Sequence, residues 1–118
     1  MSYKPYKRTD RLNELIKEEV SQILQKDFKD PRMGFVTITR VEVSPDLSWA
    51  DVYFSVLGDY DPIEQEEVLN HGSGFVKGLL GRRIRIKKVP NVRFHYDDSL
   101  ERANRVLEML DDMFRKEK

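Results

Sequence analysis

Asp61-Pro62-Ile63-Glu64-Gln65-Glu66-Glu67-Val68-Leu69-Asn70-His71-Gly72-Ser73-Gly74-Phe75-Val76-Lys77-Gly78-Leu79-Leu80 reads as two helices meeting at a bend. Asp61 is a good N-cap, Pro62 fits the first helical position, and Glu64 completes a capping-box pattern. The helix then runs through Val68 and Leu69 to His71. Two glycines in three residues interrupt it at Gly72-Ser73-Gly74, each costing about 1 kcal/mol against alanine in a helix. A second helix follows, with Phe75, Val76, Leu79 and Leu80 expected on one face. Val89-Pro90-Asn91 ends this unit. Beyond it Val92, Phe94 and Tyr96 alternate with Arg93 and His95, which predicts a strand over 92–96 with the first set inward.

The flanks complete the pattern. Upstream, Leu12, Leu15, Ile16, Val20, Ile23, Leu24 and Phe28 recur at three- and four-residue steps, predicting an amphipathic helix over 9–28, capped by Thr9 or Asp10 and stopped by Asp30-Pro31-Arg32. Residues 35–43 and 49–57 are rich in β-formers, and Ser44-Pro45-Asp46-Leu47-Ser48 supplies a turn, so they read as an antiparallel hairpin with one buried face. Downstream, Asp98-Ser99-Leu100-Glu101 starts a C-terminal helix with Leu100, Ala103, Val106, Leu107, Leu110 and Phe114 at helical spacing, ending in a frayed tail. The order α-β-β-α-kink-α-β plus a C-terminal helix predicts an α+β fold, a three-stranded sheet packed on helices. Its 118 residues suit one domain spanning 1–118, with residues 1–8 a flexible basic arm and 98–118 the last helix and tail.

Composition narrows the chemistry. Leu, Ile, Val and Phe make up well over a quarter of the chain, above the roughly 20% below which disorder is expected. The absence of cysteine excludes disulfides, thiolate zinc sites and thiol nucleophiles. No uncharged stretch approaches the roughly 20 apolar residues of a membrane span, and the N-terminus lacks the apolar core of a signal peptide, so a cytoplasmic protein is expected. The formal net charge is zero, but the zero is a sum of unlike segments. Residues 1–13 carry +3, 41–67 carry −8, 68–96 carry +7 and 97–118 carry −2. Phosphates respond to local potential within a Debye length of about 8–10 Å, not to the total.

The candidate site follows from that polarity. Lys77, Arg82, Arg83, Arg85, Lys87, Lys88 and Arg93 form an acid-free basic run directly after the kink Gly72-Ser73-Gly74. They are the expected phosphate contacts, joined by the N-terminal bases Lys4, Lys7, Arg8 and Arg11. The glycines at 72 and 74 would also let a backbone or a phosphate approach a helix N-terminus. Gly78 and Gly81 leave little side chain on the second helix, which invites close approach there too. Catalytic chemistry is thin. His71 and His95 sit in no metal-ligand spacing, no phosphate loop or nucleophile elbow is present, and Asp97-Asp98 and Asp111-Asp112 are neighbours that do not face each other on a helix. No enzyme activity, cofactor or metal is implied.

These residues, in this order, resemble the bacterial ribosome-binding factor A family over essentially the whole chain. The resemblance is carried by Arg8-x-x-Arg11-Leu12, Asp30-Pro31-Arg32, Val36-Thr37-Ile38-Thr39-x-Val41-x-Val43-Ser44-x-Asp46-Leu47 and Ala50-x-Val52-Tyr53-x-Ser55-Val56, then by Gly74-Phe75 leading through Leu79 to Arg85, and by Val89-Pro90-x-Val92-x-Phe94-x-Tyr96-Asp97-x-Ser99. It implies a type II KH-like fold in which an interhelical kink, commonly Ala-x-Gly, replaces the GxxG loop of nucleic-acid-binding KH domains. Glycine at position 72 departs from that pattern and is expected to loosen the bend. The resemblance further implies a monomeric, non-catalytic maturation factor. Such a factor binds the free 30S subunit and its rRNA, supports processing of the 5′ end of the small-subunit rRNA precursor, matters in cold adaptation and works beside assembly GTPases.

Two other readings stand beside it. The acidic stretch 41–67, with exposed Trp49 and Tyr53 and the C-terminal helix, would suit a protein-interaction module docking a basic partner through an acidic hairpin face. A small hydrolase or nuclease would have to use His71 or His95 with Asp97.

Overall fold

The computed structural model describes residues 8–116. The elements run α1 (Arg8–Lys26), β1 (Phe35–Val43), β2 (Trp49–Leu57), α2 (Pro62–His71), α3 (Ser73–Arg83), β3 (Asn91–Tyr96) and α4 (Ser99–Lys116). This is the expected α+β order. The three strands form one sheet in the order β1-β2-β3. β1 and β2 are antiparallel, whereas β2 and β3 are parallel, with Ala50 opposite Val92, Val52 opposite Phe94 and Phe54 opposite Tyr96. The parallel pairing follows from the α2–α3 crossover, which returns the chain to the same end of the sheet.

α1, α2 and α3 cover one face. Ile16, Val20 and Ile23 of α1, Leu69 of α2 and Val76 and Leu80 of α3 are fully buried against Ala50, Val52, Phe54 and Phe94. Burying each large side chain contributes about 1.5–3 kcal/mol. Leu15, at the margin of the α1 stripe, stays 38% exposed.

Three side-chain amides tie helices to the sheet and the loops. Asn13 on α1 accepts the Val43 N–H at 2.9 Å. Asn70, the penultimate residue of α2, brackets Phe94 on β3, accepting from its N–H at 2.8 Å and donating to its carbonyl at 3.0 Å. Both free sheet edges are thus partly satisfied from within, which blunts edge pairing with other chains. Gln65, 2% exposed, donates to the Arg32 carbonyl at 2.9 Å and accepts the Gly34 N–H at 2.8 Å, pinning the Asp30–Gly34 loop to α2.

The hairpin turn is held by Asp46, whose carboxylate accepts from Ser44 Oγ, Ser48 Oγ and the Ser48 N–H. Leu47 adopts φ 63° there, a left-handed conformation uncommon for leucine. A bulge between Ile38 and Arg40 lets β1 keep Ile38 and Val41 inward while Arg40 lies opposite Tyr53.

The C-terminal helix differs from the covering helices. Leu100, Val106, Leu107, Leu110 and Phe114 are each between 45% and 68% exposed, so among the described residues nothing covers the apolar stripe seen in the sequence. A radius of gyration of 17.4 Å, against about 13 Å for a compact 100-residue domain, reflects this projecting helix. Its start is tethered. Asp97 accepts from the Ser99 N–H at 3.0 Å and from Thr39 Oγ1 at 2.7 Å, and Tyr96 Oη donates to Glu101. The side-chain cap is therefore Asp97 rather than the expected Asp98-Ser99 pair.

Candidate nucleic-acid interface

The kink is shorter than the three residues assigned to it. Gly72 alone separates α2 from α3, and Ser73 and Gly74 already belong to the first turn of α3. The Gly72 N–H still bonds to the Val68 and Leu69 carbonyls, so α2 closes normally before the chain bends. Asp61 caps α2 through the Ile63 N–H at 3.0 Å, with Pro62 in the first turn, but Glu64 does not return a bond to complete a capping box.

At position 72 the structure gives glycine a packing reason beside the expected loosening of the bend. Its φ of −93° and ψ of 7° are open to any residue, so the backbone does not demand glycine. What demands it is Phe28. A Cβ on Gly72 would stand 2.7 Å from Phe28 Cζ and closer still to Cε2. α1 ends at Lys26, two residues earlier than the sequence suggests, and this frees Phe28 to cover the kink. Phe75, expected on the buried face of α3, is half exposed instead, with its ring 6.4 Å from that of Phe28. Two rings thus wall the bend where a conventional phosphate loop would be open. Gly74 and Gly78 face open space, whereas Gly81 lies under Val89, so only the first two leave α3 approachable.

The basic run is not one continuous cationic surface. Arg83 reaches back to α1 and pairs with Asp27 and, at 3.8 Å, with Glu19. Arg93 pairs with Asp51 of the neighbouring strand. Lys77 donates to Asn91 Oδ1 at 2.9 Å and Lys88 to Ser48 Oγ at 3.0 Å, which orients both ammonium groups without neutralising them. Arg82, Arg85 and Lys87 are exposed, and their side chains make no hydrogen bond or ion pair among the described residues. Local sequence explains the display. From 84 to 90, Ile84 and Pro90 are buried and Ile86 and Val89 half-buried, so the intervening Arg85, Lys87 and Lys88 are turned outward. The cations available to phosphate are thus Arg82, Arg85 and Lys87, with Lys77 and Lys88 held at the flank. In the N-terminal group, Arg11 is exposed on α1 and Arg8 opens that helix, while Lys4 and Lys7 lie outside the described residues.

The open face of the sheet carries side chains the sequence reading placed outward but did not connect. Arg40 lies over the Tyr53 ring at 4.0 Å, and Tyr53 and His95 sit 5.1 Å apart. His95 Nε2 is 2.7 Å from Asp51, which also holds Arg93, and Arg93 lies 4.3 Å over Trp49. Burial pushes the Asp51 carboxyl up, but the hydrogen bonds from Arg93 and His95 outweigh it, and the group titrates below its ordinary value. The signal for this cluster was the alternation of Trp49, Asp51 and Tyr53 against Arg93 and His95; the missing datum was the parallel register that pairs them.

This geometry weakens both alternative readings. Within the hairpin the acids of the stretch 41–67 are engaged: Asp51 holds Arg93 and His95, Glu42 pairs with Arg40 at 3.0 Å, and Asp46 is held in its turn, whereas Asp59, Glu64, Glu66 and Glu67 beyond it form no ion pair among the described residues. His95 turns to Asp51 rather than to Asp97, which bonds Thr39 and Ser99, so the His95 form of the hydrolytic pair is not assembled. Among the described residues no group of three or more His, Cys, Asp or Glu is placed to hold a metal ion, and no helix is long and apolar enough to cross a membrane.

Comparison with known proteins agrees with the geometry. The chain matches the family model described as ribosome-binding factor A over residues 8–110. It is 43% identical over 109 residues to ribosome-binding factor A of Thermodesulfovibrio yellowstonii, covering 92% of each chain. It is 40% identical over 110 residues to that of Chromohalobacter salexigens, covering 91% of this chain and 84% of the relative. Among solved structures, a putative ribosome binding factor A of Thermotoga maritima superposes with a TM-score of 0.72 at 35% identity, over 83% of this chain and 94% of that one. The crystal structure of ribosome-binding factor A from Thermus thermophilus gives 0.69 at 23% identity, covering 75% and 93%, and shows the fold. A homology model of Thermus thermophilus ribosome binding factor A, as fitted into a cryo-EM map of a 30S complex with that protein, gives 0.62 at 23% identity over the same shares. A KH-like sheet with a kinked helix pair, a matching family model over most of the chain and relatives above 40% identity establish that this chain belongs to the ribosome-binding factor A family, which comprises binding factors rather than enzymes.

Proposed function

We propose that the chain binds the free 30S ribosomal subunit through its rRNA and acts in the cytoplasm as a monomeric maturation factor. It assists late assembly and processing of the 5′ end of the small-subunit rRNA precursor, with a functional link to assembly GTPases and greatest need in the cold. The observation that carries the reading is the display of Arg82, Arg85 and Lys87, exposed and without acidic partners, directly after the kinked helix pair. Lys77, Lys88 and Arg11 extend it, and the N-terminal bases Lys4, Lys7 and Arg8 are further phosphate contacts in this reading, whereas Arg83 and Arg93 are held in ion pairs and are not assigned to phosphate. Supporting it, a homology model of the Thermus thermophilus protein, of the same fold, was fitted into a cryo-EM map of its 30S complex. Such a surface binds phosphates by charge and needs no catalytic group; its rigidity follows from the Phe28 and Asn70 clamps on either side of Gly72.

The test is co-sedimentation of the Arg82→Glu/Arg85→Glu/Lys87→Glu variant with 30S subunits. Binding should fall by about tenfold or more with the circular-dichroism spectrum unchanged, and should weaken steeply with salt in the parent chain. Undiminished co-sedimentation of the variant would overturn the assignment of the site.

A further inference from the structure

We infer that the open face of the sheet is a second RNA-contacting surface, one that stacks unpaired bases of single-stranded RNA on the row formed by Trp49, Arg93, His95, Tyr53 and Arg40. The inference rests on the reading of the protein as an rRNA-binding factor and adds a different kind of contact to it.

The row spans all three strands. Arg40 comes from β1, Trp49 and Tyr53 from β2, and Arg93 and His95 from β3. Register sets Tyr53 opposite both Arg40 and His95, and the β1 bulge delivers Arg40 to that place. Each member is a flat group, and each lies against the next or shares Asp51 with it. Asp51 fixes the row at its middle, since one carboxylate holds both Arg93 and His95. The planes are therefore ordered before any ligand arrives, which lowers the entropic cost of stacking.

Exposure and charge identify the occupant. The Arg93 and Arg40 side chains are 46% and 55% exposed, so each guanidinium lies against a ring while its side chain remains open to solvent. Among the described residues no helix covers this side of the sheet, as α1, α2 and α3 occupy the opposite face and α4 projects away. Arg40 is balanced by Glu42 and Arg93 by Asp51, so the face carries no surplus charge to hold phosphates. Uncompensated planes on a charge-balanced surface suit nucleobases, which bind flat rings and guanidinium groups through their π-faces. The phosphates of the same strand have a partner nearby: Lys88 is fixed to Ser48 and Lys77 to Asn91, at the end of the sheet where Trp49 begins β2.

Trp49 is the single tryptophan of the chain, so its fluorescence reports on this face alone. Titration of the full chain with hexaadenylate RNA should quench it saturably, while an RNA duplex of similar length should not. Tyr53→Leu and His95→Ala should each raise the apparent Kd by about fivefold or more. Arg93→Lys, which keeps the ion pair but removes the plane, should also weaken binding and guards against misfolding of the other variants. Between about 50 and 200 mM salt the hexamer affinity should change far less than 30S binding does, because few phosphates are neutralised. No quench up to millimolar hexamer, an equal quench by duplex, variants with unaltered affinity, or a quench produced only by RNA-free ribosomal protein would each overturn the inference. The outcomes separate cleanly from the main reading. Loss of the quench with Arg82/Arg85/Lys87-dependent co-sedimentation intact refutes the stacking face alone. A normal quench with charge-independent co-sedimentation refutes the basic site alone.

Discussion

Gly72→Ala should change sign with the side chain at position 28. The backbone at Gly72 lies at φ −93° and ψ 7°, where alanine is comfortable, so the substitution stabilises by about 0.4–1 kcal/mol through the unfolded chain if nothing else intervenes. Phe28 intervenes. The new methyl would sit 2.7 Å from Phe28 Cζ, well inside van der Waals contact, and the ring would have to leave the groove it fills above the kink. Overpacking of this kind costs about 1–3 kcal/mol. The net expectation in the parent chain is a loss of about 1 kcal/mol, close to 4 °C in Tm for a chain of this size. In a Phe28→Ala background the collision is gone and Gly72→Ala should gain about 0.5 kcal/mol. A double-mutant cycle by urea denaturation, followed by far-ultraviolet circular dichroism, would then show a coupling of about 1.5 kcal/mol. Equal effects of Gly72→Ala in the two backgrounds would refute the claim that Phe28 sets the requirement for glycine. The same reasoning expects family members with alanine at this position to carry a smaller side chain in place of Phe28.

Other perturbations test the remaining clamps. Asn70→Ala leaves the Phe94 N–H and carbonyl without partners on a part-buried edge and should cost about 2 kcal/mol in urea denaturation. Leu107→Glu on α4 should move the unfolding midpoint by less than about 0.5 kcal/mol, since the side chain is 63% exposed; a larger loss would show that α4 packs. Acid should lower the stability of the protein modestly as pH falls from about 4 towards 2, because hydrogen bonds from Arg32 hold Asp30 down at about 2, those from Ser44 and Ser48 hold Asp46 at about 2, and Thr39 and Ser99 lower Asp97, all of them near the surface where solvent screens the effect. Carboxyls depressed in the fold contribute stability above their unfolded pKa and lose it on protonation, so Tm measured against pH should fall across that window. Tyr96, pushed up to about 12 by its hydrogen bond to Glu101, should be the late-titrating tyrosine in ultraviolet difference spectra, and the stability it adds should be lost only as pH rises from 10 through 12.

Much of the fold was legible because it is written in local periodicity. The alternation of Ala50, Val52 and Phe54, and of Val92 and Phe94, gave the buried face of the sheet, and the Ile16-Val20-Ile23 spacing gave the packing stripe of α1. Pro62 and Gly72 marked the ends of α2. What stayed hidden depends on partners distant in sequence. Asn13, Gln65 and Asn70 look like ordinary surface amides until the edges and loops they satisfy, 24 to 33 residues away, are in place. Phe75 fits the α3 stripe by spacing, yet Phe28 sits beyond the end of α1 and draws it outward. The α4 stripe has the same periodicity as that of α1; periodicity reports an apolar face, not whether anything covers it.

The basic run shows the same limit in its functional form. Counted along the chain, residues 68–96 hold seven bases and no acid, and every one of them is an equal candidate for phosphate. Folding sorts them by the acids it brings near. Arg83 finds Asp27, 56 residues earlier, and Arg93 finds Asp51, 42 residues earlier. Neither acid belongs to the run, so no local rule could have removed these two from the list. Asp51 is moreover one of the eight acids that made residues 41–67 look like a separate acidic surface, and its pairing with Arg93 removes one charge from each of the two apparent faces at once. The charge polarity of the sequence is therefore partly spent inside the molecule, on joining β2 to β3 and α1 to α3. What is left without an acidic partner among the described residues is the shorter set Arg82, Arg85 and Lys87 with Lys77 and Lys88 at the flank, and the steepness with which salt weakens binding should follow that set rather than the seven bases the sequence displays.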